Sequence, residues 1–413
     1  MGKNIWVINQ YASLPSTGIG GRHRDLAREL AKLGHSVTLV SSRWTHLIVA
    51  PDAASAAPEQ EMFEGFRFIR LPSRQYAHAH DKRRILNWFI FAWQVGRLEK
   101  RLGEKPDVLV YSSPSLVGYL GAKWLAKRTR AKLVFEVRDI WPLTFQDVGG
   151  ISKRHPFIRF LQWIEKFAYR TADHAVSNLQ GAGEHMKEHG LPVDRFTWIP
   201  NGFYLEEVCN PEPLPDSIIE RIPLKGLRVC YAGTMGAANA LESLIEAAKL
   251  LRDEPGIHFI LVGRGRSKAA LEARANELKL TNLVFLDAVP KNQVQSVLAQ
   301  CDACFIAWKN SSLYNHGIAA NKIFDYLYSG KPILHAYSGQ FDPVAEYGAG
   351  LTVPAENAQS IANAAIELRD MDDEARLLMG QKGYQAAMER HEYAVLAQKY
   401  EALVEQLLSD RTQ

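Results

Sequence analysis

In two stretches of the sequence, short β-rich runs alternate with amphipathic segments of helix length. This alternating pattern restricts the fold more than any other feature of the sequence. In the first stretch the runs are NIWVI, SVTLVS, FRFIRL, DVLVYS, KLVFEV, DHAVS and FTWIP. In the second they are LRVCYAGT, IHFILVG, LVFLDAV, ACFIAW, PILHA and GLTVP. Strands that alternate with helices form parallel sheets with crossover connections. The pattern therefore predicts an α/β protein with two doubly wound, Rossmann-like domains in tandem.

Chain length agrees with two domains, because 413 residues exceed what one hydrophobic core usually supports. The stretch YLEEVCNPEPLPDSIIERIP, residues 204–223, is rich in Pro and acid and has no clear period, so we interpret it as the interdomain connection. We predict an N-terminal domain over residues 1–205 and a second domain over residues 206–389. The final amphipathic segment has no strand partner, and residues from about 390 to 413 are predicted to form a helix that packs back on the first domain.

The sequence also favours a cytoplasmic location. It contains no apolar run of 18 residues, and MGKNIWVINQY leads directly into a strand rather than a signal peptide. Four scattered cysteines are too few for a disulfide framework. Cys301 and Cys304 form a CxxC pair, but the surrounding run ACFIAW is apolar. We interpret both as buried structural thiols rather than a redox pair or half of a zinc site.

Charge is distributed unevenly along the chain. The net charge is only +4, yet residues 1–205 hold 29 Lys and Arg against 18 Asp and Glu, whereas the remainder holds 20 against 27. A basic half suits an anionic partner such as nucleic acid or an anionic membrane surface. The alternative is that the excess of basic residues lies on solvated helix faces and binds no partner.

Ligands of doubly wound sheets bind beyond the carboxyl ends of the strands, in the loops that lead into helices. Four such loops carry candidate residues: Gly20 and Gly21 in STGIGG, Arg138 and Asp139 in EVRDIWP, Gly233 and Thr234 in AGTMG, and Gly263 and Arg264 in LVGRGR. Glycines at a helix start let backbone amides approach a phosphate. A dinucleotide fingerprint is not present, because Lys268 stands where its third glycine belongs and the loop before Gly18 is too long.

The segment NHGIAANKIFDYLYSGKPI, residues 315–333, predicts a short helix that begins near Asn321 and stops at the Gly-Lys-Pro turn. Its first turn would offer unpaired amides to an anion, and Lys322 would add a full positive charge. Asp325, one turn further, could accept hydrogen bonds from a diol. An anion beside a diol indicates a nucleotide, although each side chain alone could be a solvated surface residue.

Taken together, these motifs resemble those of the family-4 retaining glycosyltransferases of the GT-B fold. Within that family they are most similar to bacterial polysaccharide enzymes that include the N-acetyl-L-fucosamine transferases. The resemblance runs from STGIGGRHRDLARELAKLGHSVTLV through EVRDIWP and IPNGF to AGT, LVGRG and NKIFDYLYSGKPIL. It implies two Rossmann-like domains that face a cleft, with the second domain binding a UDP-sugar as substrate. The candidate loops carry no cluster of carboxylates that would bind a metal, so the transfer is expected to need no metal and no other cofactor.

The acidic motif of the family is only half present. Members typically carry two glutamates eight residues apart, and the corresponding positions here are Gly317 and Asp325. The resemblance implies that Asp325 holds the ribose diol, while the first acid, usually near the donor sugar, is missing.

The family's cationic positions are also altered. Thr234 and Asn239 occupy the places of an Arg and a Lys that contact the diphosphate, and Arg138 occupies the place of a His before Asp139. We expect Lys322, and with it Arg264, to supply the displaced positive charge.

For catalysis, preorganised donors must stabilise the negative charge that develops on the departing diphosphate. Amides at Gly20, Gly21 and the helix start at Asn321 are predicted to do so together with Lys322. Asp139 is the best polar group for the sugar and Arg138 its neighbour, although the two could simply pair with each other.

An acceptor region is predicted in HDKRRILNWFIFAWQVGRLEKRL, residues 80–102, which combines a basic start with several aromatic residues. The candidate membrane or acceptor residues are Lys82, Arg83, Arg84, Trp88 and Trp93. Such a segment can lie at a bilayer interface, and a buried core helix is the alternative. We expect an enzyme on the inner face of the cell membrane that acts on a polyprenyl-diphosphate-linked saccharide.

Two other functions are compatible with parts of the sequence. A GT-B epimerase of UDP-N-acetylhexosamine would use the same donor site without transfer. A nucleic-acid-binding protein would use the basic half, but it would leave the second domain unexplained and lacks an RNA-type motif with interleaved aromatics. We therefore expect no nucleic-acid partner.

Overall fold

The computed structural model describes residues 2–18, 20–76, 81–143, 152 and 154–409. His80 of the predicted acceptor region and residues 410–413 of the predicted final helix lie outside this part. Contacts divide the chain into two units, of which unit 1 comprises Met1–Pro200 and Tyr393–Gln413 and unit 2 comprises Asn201–Glu392. Each unit is built on its own parallel sheet, so the predicted fold class is confirmed.

Unit 1 has an eight-stranded sheet within the described residues, in the order β3-β4-β2-β1-β5-β6-β7-β8. The strands are β1 Asn4–Ile8, β2 Ser36–Ser42, β3 Gln60–Phe63, β4 Phe66–Leu71, β5 Val108–Ser112, β6 Lys132–Val137, β7 His174–Ser177 and β8 Phe196–Trp198. Neighbours are parallel except β3 and β4, which form an antiparallel hairpin at the edge. The central strand β1 is almost wholly buried, as expected for a parallel sheet covered on both faces.

Helices connect most of these strands. They are α1 Arg22–Lys32, α2 Pro51–Ala56, α3 Lys82–Gly96, α4 Leu98–Leu102, α5 Val117–Thr129, α6 Pro156–Thr171 and α7 Ala182–Glu188. Local sequence sets the helix starts: the Asp81 carboxylate accepts from the Arg83 amide at the start of α3, and α6 begins with Pro156 after His155, whose ring accepts from the Phe157 amide.

Unit 2 has a six-stranded, fully parallel sheet in the order β11-β10-β9-β12-β13-β14. The strands are β9 Leu227–Ala232, β10 Ile257–Val262, β11 Leu283–Leu286, β12 Ala303–Ala307, β13 Ile333–Ala336 and β14 Gly350–Val353. The helices are α8 Leu205–Val208, α9 Asp216–Ile219, α10 Glu242–Leu250, α11 Lys268–Glu277, α12 Val294–Ala299, α13 Lys322–Tyr328, α14 Pro343–Tyr347, α15 Ala358–Asp370 and α16 Asp373–Arg390. Three 3₁₀ segments join them: Ala237–Asn239, Lys291–Gln293 and Ser312–His316.

Alternate side chains of β9 enter different cores, because successive residues of a strand point to opposite faces. Cys230 joins the core that includes residues of α12 and α13, whereas Val229 and Tyr231 join the core that includes residues of α10 and α15. The stretch 204–223, which we interpreted as a connection without clear period, contains α8 and α9 and belongs to unit 2.

The last helix, α17 (Tyr393–Ser409), belongs to unit 1 and is tied there by a buried carboxylate of β6. Tyr400 Oη donates to Glu136 Oε1 at 2.6 Å, and Arg22 Nε donates to the same oxygen at 3.0 Å. His23 Nε2 lies 2.9 Å from Glu136 Oε2. Burial alone would raise the pKa of Glu136, but Arg22 and His23 hold it well below its usual range.

Two further expectations can be compared with the structure. Among the described residues, no helix is both long enough and apolar enough to cross a bilayer. Cys301 and Cys304 are buried and unpaired, and burial raises the pKa of the Cys304 thiol to about 12. Both thiols of the CxxC pair are thus buried, as their apolar context predicted.

Candidate functional site

The candidate site of unit 2 lies at the carboxyl ends of β9 and β10, next to the point where the strand order reverses between β9 and β12. Ligands of open parallel sheets bind at such a point. A cavity of about 360 Å³ opens there. Its lining comprises Ala232, Gly233, Thr234, Val262, Gly263, Arg264, Ala288, Val289, Lys291, Val294, Asn321, Lys322, Asp325 and Tyr326. The structure thus brings together all seven residues of the second half that the sequence nominated for donor binding.

Two glycines allow the strand ends to approach each other at the cavity. Gly233 has φ 155° and Gly263 has φ 154°, values that side chains disfavour. A Cβ atom on Gly263 would lie 1.9 Å from the carbonyl oxygen of Gly233. The backbone therefore forms the cavity wall directly, as a phosphate-binding loop requires.

Lys322 is held at the start of α13 by two polar contacts. Its Nζ donates to Tyr231 Oη at 2.7 Å and to Asn239 Oδ1 at 2.6 Å, and it lies 4.5 Å from the centroid of the Tyr231 ring. Burial lowers the pKa of Lys322 to about 8. Asn239 occupies the position where the resemblance expects a Lys, so the cation at 322 lies beside the place of the missing one.

Asp325 lies three residues further along α13 and is 7% exposed. Lys291 Nζ donates to both of its carboxylate oxygens, at 2.6 Å for Oδ2. Burial raises the pKa of Asp325, and Lys291 opposes that effect. The Lys291 side chain is half exposed, whereas that of Asp325 is nearly buried.

Lys291 was not predicted from the sequence. It lies in the 3₁₀ segment that follows β11, 34 residues from its partner. Its position in a loop after a strand would have been the available signal, since that is where ligand-binding residues collect.

The other predicted donor residues of unit 2 line the cavity more openly. Arg264, Thr234 and Asn321 are exposed. The Thr234 carbonyl accepts from Tyr231 Oη at 2.6 Å and from Asn239 Nδ2 at 2.9 Å. Among the lining residues Asp325 alone bears a carboxylate, so the cavity as described offers no pair of acids for a metal.

The remaining predicted site residues belong to unit 1. Gly20 and Gly21 have φ 71° and 102° and directly precede α1. The Arg138 amide donates to Ser113 Oγ at 2.9 Å, and the buried Nε of Arg138 has no hydrogen-bond partner among the described residues. Asp139 has an exposed side chain, but crowding by neighbouring atoms raises its carboxyl pKa while Arg138 lowers it. No ion pair within 4 Å joins Arg138 and Asp139 in the described structure, which argues against the simple pairing.

The predicted acceptor region forms α3 and α4, and one of its residues was placed wrongly. Trp88 is 2% exposed, stacks on Phe157 and donates from Nε1 to Tyr11 Oη at 2.8 Å, so it belongs to the core and not to a membrane face. Arg84 is half-buried and lies 5.5 Å from the Trp88 ring centroid, which gives it a packing role as well. Trp93 is 57% exposed, as the prediction requires.

Exposed aromatic side chains continue from α3 onto α6. The Phe89 ring stacks on Phe160 at 6.3 Å, Phe160 on Trp163 at 6.2 Å, and Trp163 on Phe167 at 5.7 Å. Phe89 and Trp163 are exposed, as is Trp93. We call these residues, with the exposed Lys82 and Arg83, the aromatic-basic face of unit 1.

Comparison with known proteins gives a consistent assignment. The sequence matches a family model described as a glycosyl transferase 4-like domain over residues 17–202, and one described as glycosyl transferases group 1 over residues 226–370. It is 25% identical over 320 residues to WcaI of Escherichia coli strain K12, a protein assigned by name to glycosyl transfer in colanic acid biosynthesis. The match covers 75% of this chain and 77% of WcaI.

Solved structures of low sequence identity share the fold. Sucrose-phosphate synthase of Thermosynechococcus elongatus superposes with a TM-score of 0.75 at 16% identity, over 99% of this chain and 100% of that one. HepE of Anabaena, solved in complex with UDP, superposes with a TM-score of 0.69 at 15% identity, over 98% of this chain and 100% of that one.

Proposed function

The chain belongs to the family-4 glycosyltransferases of the GT-B fold, and we propose that it moves a sugar from a UDP-sugar to a lipid-linked saccharide in bacterial surface polysaccharide synthesis. The transfer retains the anomeric configuration and needs no metal. The sugar is an N-acetylated hexosamine or deoxyhexosamine, a choice that rests on the resemblance to N-acetyl-L-fucosamine transferases. A relative named for colanic acid biosynthesis supports the polysaccharide assignment.

The observation that carries this proposal is the pairing of Asp325 with Lys322 in one cavity beside the glycine-walled strand ends. Asp325 accepts hydrogen bonds from the two ribose hydroxyls after Lys291 moves away. The uridine lies in the cavity. Lys322 reaches the diphosphate near the backbone amides that follow Gly233. HepE, whose fold this chain shares, is known in complex with UDP, which supports the choice of nucleotide.

Lys322 supplies the electrostatic part of catalysis in this proposal. Charge accumulates on the β-phosphate as the sugar departs, and a preorganised cation stabilises that state more than the bound donor. Lys322 is half-buried beside the neutral groups of Tyr231 and Asn239, and this burial depresses its pKa. A bound diphosphate compensates by its negative charge for the hydration that Lys322 lost on burial, and it favours the charged form of the side chain. Arg264, exposed on the cavity wall, adds a second cation.

Residues of unit 1 complete the proposed reaction. Gly20 and Gly21 offer amides at the start of α1 to the phosphate groups. Asp139 and Arg138 act on the transferred sugar, and the buried Nε of Arg138, which has no hydrogen-bond partner in the described part of the chain, would donate to a hydroxyl. We assign no protein nucleophile.

The acceptor is proposed to be a saccharide on a polyprenyl diphosphate, presented at an anionic membrane. The aromatic-basic face supports this proposal, since exposed tryptophans beside lysine and arginine suit the interfacial layer of a bilayer. Peripheral contact through this face would hold the enzyme over its lipid-linked acceptor.

Product analysis tests the function. The full chain is incubated with UDP-N-acetylhexosamines and a short-chain polyprenyl-diphosphate saccharide, with EDTA in a parallel sample, and the products are separated by mass spectrometry. A lipid saccharide enlarged by one sugar, formed equally with EDTA, is expected. Interconversion of UDP-sugars in the absence of acceptor would instead identify an epimerase, and loss of product with EDTA would contradict metal independence.

A further inference from the structure

One cluster of metal-ligating side chains in unit 1 has no part in the proposed transfer. Glu165 lies on α6, His185 lies in the last turn of α7, and His189 follows the end of that helix. Each can offer one ligand atom, and the three atoms all lie within 4.8 Å of one another. The two histidines are four residues apart, a spacing that places both rings on one side of a helix turn.

We propose that Glu165, His185 and His189 bind a divalent transition metal ion, with Zn²⁺ as the natural candidate. Two imidazoles and one carboxylate form a ligand set that zinc uses in proteins, with water in the fourth position. The same set suits Co²⁺ and Ni²⁺, whereas Mg²⁺ and Ca²⁺ prefer oxygen ligands.

The hydrogen bond of His189 leaves its Nε2 atom able to bind a metal. Its Nδ1 lies 2.8 Å from the backbone carbonyl of His185, and because a carbonyl only accepts, Nδ1 carries the proton. In the neutral ring, Nε2 therefore holds a lone pair. A hydrogen bond from the remote nitrogen to a backbone carbonyl is how metal-binding histidines are commonly oriented.

The other two ligands already meet. His185 Nε2 lies 2.8 Å from Glu165 Oε1, and the same oxygen accepts from Tyr169 Oη at 3.2 Å. Glu165 is 2% exposed, so its carboxylate is fixed by these contacts. A metal would take the place of the proton between His185 Nε2 and Glu165, and in the neutral ring that proton would move to Nδ1.

Space and access are also present. The three residues line a cavity of about 310 Å³ together with Gln162 and Lys166. Such a volume admits the ion with its water ligand. The positive charge of Lys166 opposes binding, but its side chain is exposed and screened by solvent.

Cobalt(II) titration of the EDTA-treated full chain tests the site, because tetrahedral Co²⁺ with nitrogen ligands absorbs visible light. We expect one equivalent to bind and Zn²⁺ to displace it. His189→Gln should weaken Co²⁺ binding at least about tenfold, the lower range for loss of a metal site's supporting contacts. Lys187→Gln, an exposed change on the same helix, should bind like wild type.

Two results would overturn the proposal: no visible absorption with wild type, or His189→Gln binding Co²⁺ as tightly as wild type. His189 is half-buried, so its variant should fold, and unchanged far-UV circular dichroism together with unchanged UDP binding checks this. In either overturning result, Glu165 and His185 form a plain hydrogen-bonded pair.

Discussion

The depressed pKa of Lys322 gives UDP binding a distinctive pH dependence. Folding lowers this pKa from 10.5 to about 8. Before UDP binds, the Lys322 amine is therefore about nine-tenths protonated at pH 7 and about one-tenth protonated at pH 9. A bound diphosphate favours the protonated form and moves the pKa back toward its ordinary value. Binding then takes up a proton, and affinity must fall as pH rises through about 8.

The magnitude follows from the same values. If the bound pKa returns to about 10.4, the affinity for UDP is about tenfold lower at pH 9 than at pH 7, or about 1.4 kcal/mol. At pH 8 the uptake should be about half a proton per UDP bound, because half of the free protein has lost it. Phosphate groups titrate near pH 6, so the charge of the diphosphate is nearly constant over this range.

Isothermal titration calorimetry measures both quantities, using two buffers of different ionisation enthalpy at pH 8. Lys322→Met retains the apolar stem and removes the charge, so it should show no proton uptake at pH 8. The uracil ring begins to ionise toward the upper end of the pH range, and this contribution is common to both proteins. Equal UDP affinity of wild type at pH 7 and pH 9, or an equal decline in Lys322→Met, would refute the placement of Lys322 on the diphosphate.

Three other predictions follow from the account. In a thermal-shift assay UDP should stabilise the protein more than GDP or ADP does, and EDTA should leave the shift unchanged; equal shifts with all three nucleotides would contradict the donor assignment. Combined Lys82→Gln, Arg83→Gln and Trp93→Ser changes should reduce sedimentation with anionic liposomes, as should high salt, because charge attraction is screened within about 10 Å at 0.1 M. Tyr400→Phe removes a hydrogen bond to the buried Glu136 carboxylate and should lower the free energy of unfolding by about 1.5 to 3 kcal/mol in urea.

Matched controls sharpen the last two experiments. Leu224→Ser alters a residue of unit 2 that is 92% exposed and should not change liposome binding. Tyr384→Phe alters an exposed tyrosine and should leave stability unchanged. Eight of the nine tryptophans lie in unit 1, so fluorescence reports the unfolding of the unit that contains Tyr400. If the triple variant sediments with liposomes like wild type, the membrane role of the aromatic-basic face is contradicted. If Tyr400→Phe is as stable as wild type, the stabilising role of the Tyr400–Glu136 hydrogen bond is contradicted.

Central strands were predictable from sequence, whereas an edge strand was not. NIWVI, FRFIRL and KLVFEV coincide with β1, β4 and β6, because each run is dominated by the β-branched, aromatic and other apolar residues that favour buried strands. The hairpin strand β3 has the sequence QEMF with an alternating exposed pattern, and it lacks that signal. Its pairing with β4 depends on the Glu-Gly turn between them, which composition alone did not reveal.

Helical period explains the error at Trp88. Trp88, Phe91 and Val95 occur at i, i+3 and i+7, which puts them on the buried face of α3. Phe89 and Trp93 occur at i and i+4 on the opposite, exposed face. The prediction counted all aromatic residues of the segment together and so did not distinguish the two faces. The helical spacing of these residues in the sequence does distinguish them.

The contacts of the cavity depended on the tertiary structure. Lys322 lies 83 residues from Asn239 in sequence, and Lys291 lies 34 residues from Asp325. Strand-end loops could be predicted to converge because parallel strands end at one edge of a sheet. Which side chains meet across those loops follows from the strand order β11-β10-β9-β12, and the sequence does not state that order.

Calorimetric titration of Asp325→Ala with UMP and UDP, beside wild type and the exposed control Asp370→Ala, tests the central claim most directly. UMP and UDP share the ribose, so the account predicts that Asp325→Ala weakens both by a similar amount, about 1 to 3 kcal/mol, through loss of a charged acceptor of hydroxyl hydrogen bonds. Lys322→Met should instead weaken UDP more than UMP, since it acts on the diphosphate. Unchanged binding of both nucleotides to Asp325→Ala would contradict the assignment of this cavity as the UDP-sugar site.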